Sequence, residues 1–295
     1  MEQAVSIGNQ DFESIRKNNI FYVDKTGFIR EWWENQDVVT LITRPRRFGK
    51  TLNMSMIEQY FSNRYSGRRD LFEGLSIWEE EKYQNLQGSF PVIFLSFANV
   101  KGKTYRDTRN GIIDALAEAY RKHNYLLTEG KLSENEKNYF HSFETYMTNT
   151  AADKVIADDS VVIALKELAF YLSRHYGKKV LILLDEYDTP LQEAYVNGYW
   201  EELTAFIRSL FNSTFKTNPY LERGLMTGIT RVSKESIFSD MNNLAVITTT
   251  TERYAACFGF TEDEVFSALD QYGLSAWKES VKEWYDGFTF GEYRD

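Results

Sequence analysis

Short unbroken apolar runs alternate along this chain with segments whose apolar positions recur every three or four residues. Val38-Val39-Thr40-Leu41-Ile42, Val92-Ile93-Phe94-Leu95 with Phe97, and Val180-Leu181-Ile182-Leu183-Leu184 predict buried strands. A strand covered on both faces loses its polar alternation, so unbroken runs of this length suit a parallel sheet. Gly224 to Thr230 predicts a fourth strand and Leu244 to Thr248 a fifth. Helical spacing marks residues 26–35 (Phe28, Ile29, Trp32, Trp33) and the stretch after Thr51, where Leu52, Met56 and Tyr60 interleave with Met54, Ile57 and Phe61. Residues 105–123, 160–175 and 199–216 predict further helices, and the polar stretch 126–158 a mixed helical insertion. Strands alternating with helices predict a doubly wound α/β fold, a parallel sheet flanked by helices whose ligands bind at the carboxyl ends of the strands. From Phe260 the texture changes. Thr261 and Glu264 have capping-box spacing, a second helix is predicted near 275–285, and the chain stops soon after Gly287 and Gly291. That end reads as an unfinished domain, so a fragment of a longer protein is expected.

Composition narrows the classes. The chain has 295 residues, 43% hydrophobic and 16% aromatic, enough for one large or two modest domains. A net charge of -9 argues against a broad nucleic-acid or anionic-membrane face. One cysteine, Cys257, excludes an intrachain disulfide framework and fits a reducing compartment, and three histidines make a dedicated zinc site unexpected. Residues 1–20 are polar, so no secretory signal is expected, and no apolar run approaches the roughly 20 residues that cross a bilayer. The expectation is a cytoplasmic protein without a membrane partner.

The chemistry sits at the predicted strand ends. The first strand runs into Thr43-Arg44-Pro45-Arg46-Arg47-Phe48-Gly49-Lys50-Thr51-Leu52, which opens a helix. A strand, a tight loop ending Gly-Lys-Thr and a helix form a phosphate grip: backbone N–H groups and the helix N-terminus hold oxygens, Lys50 reaches the β/γ-phosphates and the Thr51 hydroxyl ligates Mg2+. Gly49 leaves room for a phosphate. The full pattern wants glycine where Arg44 stands, so negative φ is expected there. Arg44, Arg46 and Arg47 add positive charge. The third strand ends Asp185-Glu186-Tyr187-Asp188-Thr189-Pro190, where Asp185 is the candidate Mg2+ ligand and Glu186 the candidate to polarise the attacking water. Asp188 reads either as a supporting acid or as a turn residue before Pro190. The fourth strand leads to Arg231, a candidate to stabilise charge on the γ-phosphate. Upstream, Phe21-Tyr22-Val23-Asp24-Lys25-Thr26 would lie near base and ribose, or pack as an entry loop.

Together these motifs, with Trp284-Tyr285-Asp286-Gly287-Phe288, resemble the predicted AAA-ATPase-like family of bacteria, relatives of the archaeal and signal-transducing ATPases, in order across nearly the whole chain. In that family the arginine-rich loop without its first glycine is the norm. The resemblance implies an additional-strand P-loop NTPase, with Walker A roles for Lys50 and Thr51, Walker B roles for Asp185 and Glu186, and a sensor role for Arg231. It implies an ATPase core over 1–258 with a helical insertion at about 104–175, and the start of a helical lid over 259–295. Longer members carry a C-terminal nuclease-like domain of the PD-(D/E)xK type, a suspected effector partner absent from this segment. No Asn-Lys-x-Asp signature for guanine is present, which favours ATP. The leading expectation is an ATP- and Mg2+-dependent hydrolase acting as switch or motor. A non-hydrolysing nucleotide scaffold and a kinase are the alternatives.

Overall fold

A computed structural model describes residues 3–129, 131–146, 156–230, 237–285, 289–290 and 293–294. Five strands form one sheet: β1 (Val39–Thr43), β2 (Val92–Ser96), β3 (Val180–Asp185), β4 (Leu221–Gly228) and β5 (Leu244–Ile247), in the order β2-β3-β4-β1-β5. β3 pairs in parallel with β2 and with β4, matching Ser96 to Asp185 and Leu184 to Met226. All six β3 residues are buried, as its unbroken apolar run requires. β4 therefore stands between β1 and β3, the additional-strand arrangement. Parallel strands put their carboxyl ends along one edge of the sheet.

The helices are α1 (Phe12–Lys17), α2 (Gly27–Asn35), α3 (Lys50–Phe61), α4 (Glu81–Gln84), α5 (Tyr105–Lys122), α6 (Leu126–Glu129), α7 (Glu134–Glu144), α8 (Asp158–Tyr176), α9 (Thr189–Asn197), α10 (Trp200–Phe211), α11 (Glu262–Gln271) and α12 (Lys278–Tyr285). The chain forms two compact units, residues 1–36, 43–89 and 246–295 in one, 37–42 and 90–245 in the other. The first has an aromatic core in which Phe12 stacks on Phe72 at 5.2 Å and Trp32 meets Phe61 edge-on. In the second, Tyr120 stacks on Phe143 at 4.7 Å, and the Tyr120 hydroxyl donates to the Ala164 carbonyl, tying α5 to α7 and α8. Gly224 has a packing reason: a Cβ there would lie 2.8 Å from the Phe215 ring.

Most predicted elements form close to their expected limits, including the Thr261–Glu264 capping box that starts α11. Others differ. α1 and α4 are additions, each too short to show a period in the sequence. The 199–216 segment leaves α-helical geometry after Phe211 for a π turn over Asn212–Lys216. The turn expected before Pro190 forms at Tyr187 and Asp188, and α9 follows it as an addition: Pro190 lies in its first turn, where a helix tolerates the missing N–H, and Gly198 ends it in the left-handed conformation. Residues 130 and 147–155 of the expected insertion lie outside the described residues.

Glu136 closes the capping box of α7 and takes a bidentate bond from Arg174 at 2.9 and 3.0 Å. Arg174 above all holds its carboxylate below the ordinary value of 4.5. A carboxylate with a depressed folded pKa adds stability at neutral pH, and loses it as pH falls through that folded value. Glu136→Gln is therefore expected to lower neutral-pH stability by roughly 1 kcal/mol, less below pH 4, read from urea melts at both pH values.

Candidate functional site

The first unit carries the loop after β1. Its two left-handed residues are Arg47 (φ 69°) and Gly49 (φ 74°); Arg44 is not among the positive-φ positions. The missing first glycine thus imposes no strain at 44, because the sharp turn is made three residues later. A Cβ at Gly49 would meet nothing within 4 Å, so the loop is open in front of the α3 N-terminus, and Gly49 as the N-cap has no side chain to cap its N–H groups. Lys50, the first residue of α3, is buried. Its ammonium donates to the Pro45 carbonyl at 2.8 Å and to the Arg44 carbonyl at 3.1 Å, holding the loop in a ring around itself. Thr51 is half-buried on the same turn, and Arg46 and Arg47 are exposed.

Arg44 is fully buried. Its guanidinium donates to the Thr43 carbonyl at 3.1 Å and the Tyr254 carbonyl at 3.5 Å, and lies 5.7 Å from the centre of the Phe258 ring. Burial lowers its pKa to about 10, so it stays charged at neutral pH. Arg44 therefore pins the 254–258 segment to the start of the loop.

Beside the loop lies a cavity of about 190 Å³. Phe21, Tyr22, Val23 and Lys25 wall one side, Arg47, Phe48, Gly49, Leu52 and Asn53 another, and Cys257, Gly259 and Phe260 a third. Lys25 lines it but is bonded to both Glu264 oxygens at 2.6 Å and to the Ala256 carbonyl at 2.7 Å. Asp24 is not among the lining residues. Its carboxylate accepts from the Thr26 N–H and hydroxyl and from the Ser76 N–H at 2.6–2.8 Å, organising the turn into α2. The third wall is held by Asn53, which donates to the Cys257 carbonyl at 2.8 Å, and by the Gly259 N–H on the Phe48 carbonyl at 3.2 Å. Gly259 sits so close that a Cβ would come within 2.7 Å of the Phe48 ring. Burial, then Glu31, push the Cys257 thiol up, so at neutral pH it is no nucleophile. Sequence reasoning missed the role of 254–260. The signal available was Gly259 set between Phe258 and Phe260.

The second unit carries the acids. Asp185, the last residue of β3, is buried and accepts a short hydrogen bond from the Thr227 hydroxyl on neighbouring β4. Glu186 comes next with φ 52°, a left-handed backbone that costs a non-glycine residue energy, and its carboxylate accepts from the Thr189 hydroxyl at 3.2 Å. Tyr187 is buried. Thr230 stands exposed after β4, beside an open groove of about 1190 Å³ walled by Leu191, Gln192, Tyr195, Tyr199 and Trp200 of α9, α10 and their link. Arg231 lies outside the described residues. Among the described residues no three His, Cys, Asp or Glu cluster as a metal site. A Mg2+ ion commonly takes only one or two protein carboxylates and draws its other ligands from phosphates and water, so a single strand-end carboxylate such as Asp185 fits that chemistry.

Thr227→Val would leave the buried Asp185 carboxylate without that donor. A loss of about 1–3 kcal/mol in urea unfolding is expected.

A parallel sheet with β4 inserted between β1 and β3, and a Gly-Lys-Thr loop after β1, defines an additional-strand P-loop NTPase fold. The chain belongs to the family described as predicted AAA-ATPase, whose model matches residues 6–238. It is 27% identical over 293 residues to an uncharacterized protein of the vnfD 5' region of Azotobacter chroococcum mcd 1. That alignment covers 98% of this chain and 49% of the relative, so the chain spans about half the relative's length. No solved structure matches it.

Proposed function

We propose that this chain is an ATP-binding module that hydrolyses ATP with Mg2+ and acts as a switch or motor for an attached effector domain. The observation that carries the reading is the preformed loop: Arg47 and Gly49 left-handed, Lys50 buried and bonded to two loop carbonyls, and the N-terminus of α3 open in front of it. A lysine held this way has its charge in place before a ligand arrives, and exchanging two carbonyls for phosphate oxygens needs little rearrangement. The cavity beside the loop suits base and ribose. Phe21, Tyr22 and Phe260 supply apolar surface there, and Asn53 and Lys25 supply polar atoms.

In this reading Lys50 and the loop N–H groups hold the β/γ-phosphates, with Arg46 and Arg47 adding charge. Thr51 and Asp185 are the residues that would hold Mg2+, and the ion would supply positive charge to offset the negative charge building on the phosphates. Glu186 takes a proton from the attacking water, and Arg231 stabilises the γ-phosphate. Lys25 shapes the pocket wall, and Asp24 acts through the turn into α2. The output is a change of state read by the effector, for which the nuclease-like domain of longer family members is the candidate.

A second reading, a scaffold that holds ATP without turning it over, is favoured by one observation: the Glu186 carboxylate is already engaged by Thr189. Single-turnover hydrolysis with Mg2+ decides between them. Glu186→Gln is expected to slow the chemical step by about 100-fold or more with ATP still bound, whereas a wild type no faster than this variant supports the scaffold.

Binding is tested separately. ATP at about 100 times its Kd should stabilise the wild type by roughly 2.7 kcal/mol, seen as a rise in Tm. Lys50→Ala is expected to abolish that rise, and an unchanged rise would place the nucleotide elsewhere.

A further inference from the structure

Asp188 occupies the residue before α9, where an aspartate ordinarily bonds the first N–H groups of its own helix. It makes no such bond. Its carboxylate is fully buried and turns to the end of β4 instead. One oxygen, Oδ2, accepts from the Ile229 N–H at 3.1 Å, the Thr230 N–H at 2.8 Å, the Thr230 hydroxyl at 2.7 Å and Gln192 Nε2 at 2.9 Å. The other, Oδ1, is buried without a hydrogen-bond partner among the described residues. The preceding Tyr187 donates its hydroxyl to the Thr230 carbonyl at 2.8 Å. Gly228 lies against both: a Cβ there would come within 2.6 Å of Asp188 Oδ1 and 2.5 Å of the Tyr187 ring. Two consecutive residues after β3 thus grip three consecutive residues at the end of β4.

We infer that Asp188 is a positioning residue for the nucleotide reaction, fixing the backbone of Ile229 and Thr230 at the carboxyl edge of the sheet. This rests on the ATPase reading. The ladder no longer orders these amides once β4 has ended. A carboxylate that accepts from two successive N–H groups and a hydroxyl replaces it with charge-assisted bonds. Asp188 is fully buried, and its Oδ2 is spent on the end of β4 and on Gln192. Its effect is through the segment it holds, and small displacements of such segments cost rate.

The test uses Asp188→Ala and Asp188→Asn in the full chain, with MgATP turnover and amide exchange as readouts. Asparagine keeps an acceptor oxygen for the two N–H groups, and alanine keeps none. Alanine is expected to lower kcat by about 10- to 100-fold with KM within about threefold, and asparagine to recover most of the loss. Exchange at Ile229 and Thr230 should quicken at least about tenfold in the alanine variant, remain slow in the asparagine variant and stay unchanged at Val92–Ser96 in both. Wild-type kcat and wild-type exchange in the alanine variant overturn the inference. So does an asparagine variant as slow as alanine with its amides still protected, since that demands the charge itself. If the alanine variant does not fold, Thr230→Val removes one of the bonds from an exposed position. It should lower kcat by about threefold at unchanged KM, and an unaltered kcat overturns the inference. A wild type without turnover sinks the ATPase reading. Exchange then decides alone: quickening confined to 229–230 supports the clamp, and its absence removes it.

Discussion

A strand buried on both faces that ends in a carboxylate must meet a partner at that end, and much of the second unit answers this constraint. β3 is apolar to Leu184 and then delivers Asp185, buried at the edge of the sheet. An unpaired charge there would carry a large desolvation cost. The Thr227 hydroxyl meets it, which requires β4 to lie beside β3 in parallel and in register. The chain then turns through a left-handed Glu186 and starts α9 at once, and Asp188 repeats the pattern one turn on. Two acids of one strand end are thus committed to the next strand's end. The acid between them, Glu186, is held only by Thr189 through its side chain among the described contacts.

The loop of the first unit has a different logic. It holds a dense group of cations, and each has a distinct environment. Lys50 is buried against carbonyl oxygens, Arg44 against carbonyls and an aromatic face, and Arg46 and Arg47 are exposed. Carbonyl dipoles replace part of the water that the buried cations lose. Arg44 is the clearest case of a substituted motif position taking other work. Without the first glycine the loop gains a long buried side chain that reaches Tyr254 and Phe258, and so holds the segment that closes the cavity.

Much of this was legible along the chain. The five strands, the order of helices and the capping box of α11 come from apolar periodicity and end signals, which are local. The loop and the acids at strand ends were legible because a buried apolar run carries the residues after it to the sheet's edge. α9 was missed because Pro190 so close behind the strand end drew attention to the turn before it, although Leu191, Ala194 and Tyr195 have helical spacing. Lys25 was expected near ligand and is bonded to Glu264, 239 residues away, a distance that no local pattern spans.

The sequence by itself determined the class: hydrophobic runs of strand length between amphipathic helices, with Gly-Lys-Thr after one run and Asp-Glu after another, admit few folds. Only the tertiary structure decided what the ambiguous residues do. Arg44 turns inward, Asp24 organises a turn, and the Asp188 carboxylate turns mainly to the end of the next strand instead of capping the first N–H groups of its own helix. The physical reason is that a polar side chain's partner is set by what burial brings within about 3 Å, and these partners lie far off in the chain.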